Sequence, residues 1–120
     1  MTPQKISLAE KFDLFDETWS PKIIGGLNGQ HVKLARLEGE FVWHRHEEED
    51  ELFLVVEGRL TIEFRDGVVS LEEGEMLIVP REVEHRPVAS GEATVLLFEP
   101  ASTLNTGDAG GELTAGAEWI

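Results

Sequence analysis

The chain contains no cysteine. That removes disulfides, thiol catalysis and thiolate metal ligation together, so any metal has to be met by nitrogen and oxygen donors. Tyrosine is also absent, and the aromatic share of 8% rests on Phe and Trp alone. Cations are scarce: 10 Lys and Arg stand against 24 Asp and Glu, a formal charge of −14. A surface of that sign repels a phosphate backbone and an anionic leaflet alike, so neither nucleic acid nor a membrane is an expected partner. Met1 to Leu8 holds no apolar stretch of signal-peptide length, and no uncharged run approaches the ~20 residues of a membrane span. A cytoplasmic protein is the expectation.

What is present fits one compact domain. A length of 120 residues leaves room for a single core and whatever cleft it encloses, and a hydrophobic fraction of 41% is ordinary for a globular chain. Leu8, Phe12 and Phe15 fall at helical spacing, and Ser7 with Glu10 makes a capping box, so residues 1–20 read as an N-terminal helical segment. After Pro21 the pattern changes to short runs rich in Val, Ile, Leu and Phe, separated by Gly and acidic turns. Strands are expected at Lys22–Gly25, His31–Leu37, Phe41–His46, Glu51–Val56, Leu60–Phe64, Val68–Leu71, Met76–Val79, His85–Val88 and Ala93–Phe98. Residues 21–100 thus read as all-β. Leu60 to Phe64 alternates apolar and polar, and Asp66-Gly67 marks a tight hairpin turn after it. Leu52 to Val56 and Met76 to Val79 are apolar without interruption, which predicts burial on both faces, one inward and one against another layer that a partner subunit can supply. Residues 101–120 read as a tail rich in Gly, Ala, Ser and Thr that ends in the apolar pair Trp119-Ile120, either docked or free.

The informative stretch runs from Gly39 to Gly58. Side chains two apart on a strand share a face, so His44 and His46 project together with Cα atoms ~7 Å apart. Imidazoles at that separation can converge on one ion at ~2.1 Å from each nitrogen. The short polar run Glu47 to Asp50 suits a reversing, solvated connection, after which Glu51 opens the neighbouring strand. Of the four His in the chain, His85 follows Met76 to Pro80 in a second strand-turn-strand unit that can fold back over the first.

These residues resemble the cupin superfamily, whose two motifs read G-x5-H-x-H-x(3,4)-E-x6-G and G-x5-P-x-G-x2-H-x3-N. Gly39, His44, His46, Glu51 and Gly58 meet the first, with four rather than five residues after Gly39. Gly74, Pro80 and His85 meet the second, with Glu82 where Gly is usual and Ala89 where Asn is usual. The fifteen residues between the motifs, Arg59 to Glu73, look like those of small single-domain members of the conserved-barrel, mannose-6-phosphate isomerase-like type. The resemblance implies a double-stranded β-helix, or jelly-roll. It also implies one metal ion held by His44, His46, Glu51 and His85, and a homodimer.

Three imidazoles and one carboxylate suit a divalent transition metal (Mn, Fe, Co, Ni, Cu or Zn) better than Mg or Ca. On an octahedral ion such ligands leave two adjacent positions where a small substrate can chelate through paired oxygens. Three readings stay open: a metal-dependent enzyme, isomerase-like or oxygenase-like; a non-catalytic small-molecule binding or sensing module; and a structural metal. An isomerase needs a general base, and a phosphorylated substrate needs cations at the mouth; His31, Lys33, Arg36 and Glu38 on the preceding strand are the candidates.

Overall fold

The structure is a computed structural model and describes residues 1–120. The expected cap forms: the Ser7 hydroxyl accepts the Glu10 amide at 3.3 Å and starts α1 (Leu8–Phe12). Phe12 and Phe15 pack with Ile24 and Leu34 in a small apolar cluster. The helix is thereby fixed to the strands behind it and not left as a separate arm.

Eight strands follow: β1 (Lys22–Leu27), β2 (Gln30–Glu40), β3 (Glu51–Glu57), β4 (Leu60–Phe64), β5 (Gly67–Leu71), β6 (Met76–Val79), β7 (His85–Pro100) and β8 (Glu118–Trp119). β7 organises them. Along one edge it pairs antiparallel with β2, from Gln30↔Pro100 to Glu40↔Val88. Along the other edge its first residues pair with β4 and its last with β3. One layer therefore reads β5-β4-β7-β2 and the other β6-β3-β7-β2-β1-β8, two sheets sharing their central strands. The chain is all-β, as the strand pattern predicts, and its architecture is the jelly-roll that the resemblance implies.

Several local expectations need correction. The segments His85–Val88 and Ala93–Phe98 are parts of the single strand β7, because β2 is long enough to pair with both across Ser90-Gly91-Glu92. Phe41–His46 is extended but is no ladder strand; its one bridge is His44↔His85. The β4–β5 turn is Arg65-Asp66, with Gly67 opening β5. The register Leu60↔Leu71 brings two buried leucines opposite one another, and a one-residue slip would expel them. The turn with the backbone that favours Asn-Gly is instead Asn28-Gly29, between β1 and β2, with φ 52 and 77.

The core between the layers is built from residues such as Leu37, Phe53, Val55, Leu60, Ile62 and Val95. Each such side chain stabilises the fold by roughly 2 kcal/mol through burial. The expected second burial of β3 and β6 is not met within the chain: Met76 and Ile78 are more than half exposed, and Leu52 and Leu54 are half-buried. β6 pairs with β3 alone, so nothing in the chain lies over that end of the outer face.

The C-terminal segment does not hang free. Its end runs parallel to β1, Lys22↔Glu118 and Ile23↔Trp119, and the Ile120 amide donates to the Ile23 carbonyl at 3.0 Å. Between β7 and β8 the segment crosses one mouth of the barrel. There Thr106 is fully buried, and Asn105 donates to the Trp19 and Leu113 carbonyls at 3.3 and 2.9 Å.

Candidate metal centre

Glu51 is the first residue of β3 and His85 the first of β7, so both project inward from strand ends at that same mouth. His44 reaches them because its backbone pairs with His85, N–H to O at 3.0 and 2.9 Å in the two directions. His46 follows two residues on in the same extended segment. Its carbonyl accepts the Glu82 amide at 2.7 Å, which ties the segment to the turn before β7. Glu82 has φ 69, and the need for a left-handed residue there explains why the second motif favours Gly.

All four predicted ligands come together. One nitrogen or carboxylate oxygen from each of His44, His46, Glu51 and His85 lies within 4.8 Å of the others, and no residue of the set is more than 4% exposed. The Nδ1–H groups of His44 and His85 donate to the Val42 and Val83 carbonyls at 2.9 and 3.0 Å. Those bonds fix the tautomer and turn each Nε2 lone pair inward. Glu51 Oε1 is 3.3 Å from His46 Nε2 and 3.4 Å from His85 Nε2, yet these three atoms have no hydrogen-bond partner. Buried polar atoms normally find partners. Convergent lone pairs left without them are what a cation would satisfy, so the donor set fits a transition metal.

The electrostatics differ from one imidazole to the next around a carboxyl held in its ionised form. Burial, then the proximity of His85, pulls His44 down to about 4. Burial also acts downward on His46, but the Glu51 carboxylate 3.3 Å away outweighs it and leaves that imidazole above its ordinary value. Burial would raise Glu51, and His46 and His85 overcome it, holding the carboxyl well below the usual range.

Sequence reasoning missed Glu99. Its carboxyl is 2% exposed, lies beside Glu51 and is raised well above the ordinary carboxylate value, first by burial and then by the Glu51 charge. Lys33 Nζ stands 3.1 Å from Glu99 Oε1 and donates to the Thr103 carbonyl at 3.4 Å. A signal existed: Ala93, Val95 and Leu97 are buried at alternate positions of β7, and Glu99 continues that series. The other second-site candidates point elsewhere. Arg36 is bound by the Phe12 and Phe15 carbonyls and Glu92, Glu38 is exposed, and His31 meets Trp119 edge-on at 5.3 Å.

Two spaces adjoin the ligands. The inner one, about 30 Å³, touches His44 and Glu51 and is otherwise walled by Trp19, Phe41, Phe53 and Glu99 among others. The outer one, about 310 Å³, reaches His46 between Glu47, Glu48, Glu49 and Asp108. Its one cation, Arg45, lies 3.7 Å from both Glu47 and Asp108. The acidic run is thus largely a solvated turn, as expected, and it flanks the approach to the site. The crossing C-terminal segment closes the remaining side. Gly107 has φ 54, and a Cβ there would overlap the Arg45 carbonyl oxygen and sit 3.1 Å from His44 Cδ2.

Comparison with known proteins places this architecture. The family model described as a cupin domain matches residues 30–99. The chain is similar to a cupin-2 domain containing protein from Shewanella frigidimarina, with 46% identity over 79% of this chain and 93% of that one, at a TM-score of 0.78. Protein NMB1881 from Neisseria meningitidis is 34% identical over 81% of this chain and 99% of that one, with a TM-score of 0.74. The uncharacterized protein YdbB of Bacillus subtilis is 41% identical over 64 residues, which is 52% of this chain and only 57% of that relative's length.

Proposed function

The chain belongs to the cupin family, and on that premise we propose that His44, His46, Glu51 and His85 hold one divalent transition-metal ion and serve a metal-dependent reaction of a small molecule with paired oxygens. The observation that carries this is the set of four buried donor groups within 4.8 Å, three of whose inward atoms have no other partner. When bound, such an ion supplies Lewis-acid polarisation of a chelated carbonyl or hydroxyl oxygen.

The chain's own residues do the rest. Val42 and Val83 carbonyls orient two imidazoles, and the walls of Phe41 and Phe53 exclude bulk water from the inner side. Glu99, whose carboxyl burial and the neighbouring Glu51 raise above the ordinary value, is the group available to hold or move a proton at the substrate. A phosphorylated substrate is disfavoured, because Lys33 is committed to Glu99 and Arg45 lies among carboxylates. On this reading residues 21–100 are the working barrel, residues 1–20 a supporting helical segment and residues 101–120 a cover over the mouth. A homodimer formed through the outer face of β3 and β6 would cover Met76 and Ile78.

Elemental analysis of protein purified without added metal tests the assignment. About one equivalent is expected in wild type and a loss of most of it in His46→Ala and in Glu51→Ala. Equal metal content in all of them would refute the ligand set.

A further inference from the structure

The clustered donor atoms lie behind walls on every side. His46 Nε2, His85 Nε2 and Glu51 Oε1 are all buried, and the outer space stops at His46. The inner space, at about 30 Å³, has room for roughly one or two waters. A hydrated ion, or a molecule that chelates one, therefore reaches those atoms only when a wall moves.

Two of the walls cannot move without taking the cluster apart. The acidic turn runs directly from His46 to Glu51, and Asp50 Oδ1 at its end accepts the Arg81 amide at 2.9 Å. The inner wall is packed aromatic rings: Trp19 stacks on Phe41 with centroids 4.5 Å apart, and Phe41 meets His44 edge-on at 5.4 Å. The third wall is the crossing C-terminal segment, and it is held differently. Residues 105–115 form a compact loop whose ends are tied by one side chain. Asn105 Oδ1 accepts the Ala115 amide at 3.0 Å, and Asn105 Nδ2 donates to the Leu113 carbonyl at 2.9 Å. The same nitrogen donates to the Trp19 carbonyl at 3.3 Å. Trp19 is a fixed post, with its amide on the Arg36 carbonyl at 2.8 Å and its indole Nε1–H on the Glu38 carbonyl at 2.9 Å. The remaining ties of the loop are polar too. Thr106 and Thr114 share a hydroxyl bond of 2.6 Å, the Asp108 amide donates to the Arg45 carbonyl at 3.0 Å, and the Arg45 amide donates to Asp108 Oδ1 at 2.9 Å. The apolar residues of the loop, Ala109, Leu113 and Ala115, are exposed or half-buried. A segment held by a few hydrogen bonds of modest net worth, with little apolar burial, opens far more readily than the strands beneath it.

We propose that residues 105–115 are a gate over the cluster, latched to Trp19 by Asn105, and that the metal ion and any chelating molecule enter and leave through its opening. It rests on the metal reading above and regulates access to that same site. Asn105 bonds none of the four clustered side chains, so loosening the latch speeds entry and exit by the same factor and leaves affinity alone.

The test compares wild type, Asn105→Ala and Thr114→Val. Co(II) association, and release into saturating EDTA, are followed by stopped flow in the visible Co(II) spectrum. Asn105→Ala should raise both rates about tenfold or more, with Kd changed no more than about threefold. Thr114→Val should act in the same direction and less. Unchanged rates in Asn105→Ala, or faster release without faster association, would overturn the gate. A second arm needs no metal: the Arg45 and Asp108 amides should exchange hydrogen about tenfold faster in metal-free Asn105→Ala than in wild type, with amides in the middle of β7 unchanged. That acceleration in a protein that takes up no Co(II) would sink the metal reading and keep the loop as the moving wall. Co(II) exchange at wild-type rates in spite of it would sink the gate and keep the metal reading.

Discussion

His44 and His85 face each other as a backbone-paired couple, each donating its amide to the other's carbonyl, so two ligands from distant parts of the chain are set by one main-chain contact. The imidazoles sit 4.3 Å apart between ring centroids, each anchored by its own Nδ1–H bond to a backbone carbonyl. Metal binding should therefore need little rearrangement and should appear mainly as stabilisation of the folded state. At a hundredfold excess over Kd the gain is about 2.7 kcal/mol. Thermal melts with and without Ni(II) or Zn(II) read it directly. His85→Ala should show no metal-dependent rise in Tm, and an undiminished rise in that variant would remove His85 from the ligand set.

The apo-protein should lose stability in mild acid. The unfolded chain takes up a proton at His44 near 6.5, whereas burial and His85 delay that uptake in the folded state to about 4. Between those values the unfolded state binds more protons, so stability falls as pH drops through the window. The contribution of this residue is about 3 kcal/mol between pH 7 and 4. His46, raised by Glu51, acts in the opposite direction. Urea melts of metal-free wild type and His44→Gln across that range isolate the effect. The difference between the two slopes should vanish above pH 7, and parallel curves throughout would contradict it.

Glu82→Gly should stabilise the protein. Glu82 holds φ 69, a left-handed conformation costly for a side chain with a Cβ, while the amide bond to His46 is retained by any residue. Relief of that strain exceeds the added freedom of Gly in the unfolded chain and leaves a gain of about 0.5–1 kcal/mol. A denaturation midpoint lower than that of wild type would show that the Glu82 side chain itself contributes.

Gly107→Ala should do the reverse. A methyl group there strikes the Arg45 carbonyl and crowds His44 in a backbone region that L residues avoid. The cost is about 1–3 kcal/mol, taken by detachment of the crossing segment more than by global unfolding. Limited proteolysis should then cut between Ala101 and Ala117 faster than in wild type. Identical digestion patterns would mean that the segment does not rest on His44.

The clustering of His44, His46, Glu51 and His85 was legible because residue parity and the two motifs both constrain it: the two His lie two apart, and Glu51 and His85 open strands. The jelly-roll was legible for the same reason. Glu99 and Trp19 were not. A lone Glu at the end of an apolar strand carries no motif, and only the inward series Ala93, Val95, Leu97 marks its direction. Trp19 sits in a stretch without periodicity, and its role depends on Phe41 and Asn105, which only the folded chain brings to it. Asn28-Gly29 was passed over although the dipeptide favours such a turn, and Asp66-Gly67 misled by one residue because burial of Leu60 and Leu71 outranks turn chemistry in fixing register. The merging of two expected strands into β7 depends on the length of its partner β2, which local pattern does not reveal.

The placement of β7 has a consequence for assembly. Its sixteen residues complete both layers at once, and its first residue supplies the last imidazole. Without that strand between its neighbours, neither half of the molecule is closed and the cluster of four buried side chains lacks one member. A site assembled this way is complete only once the longest strand has docked against both of its neighbours.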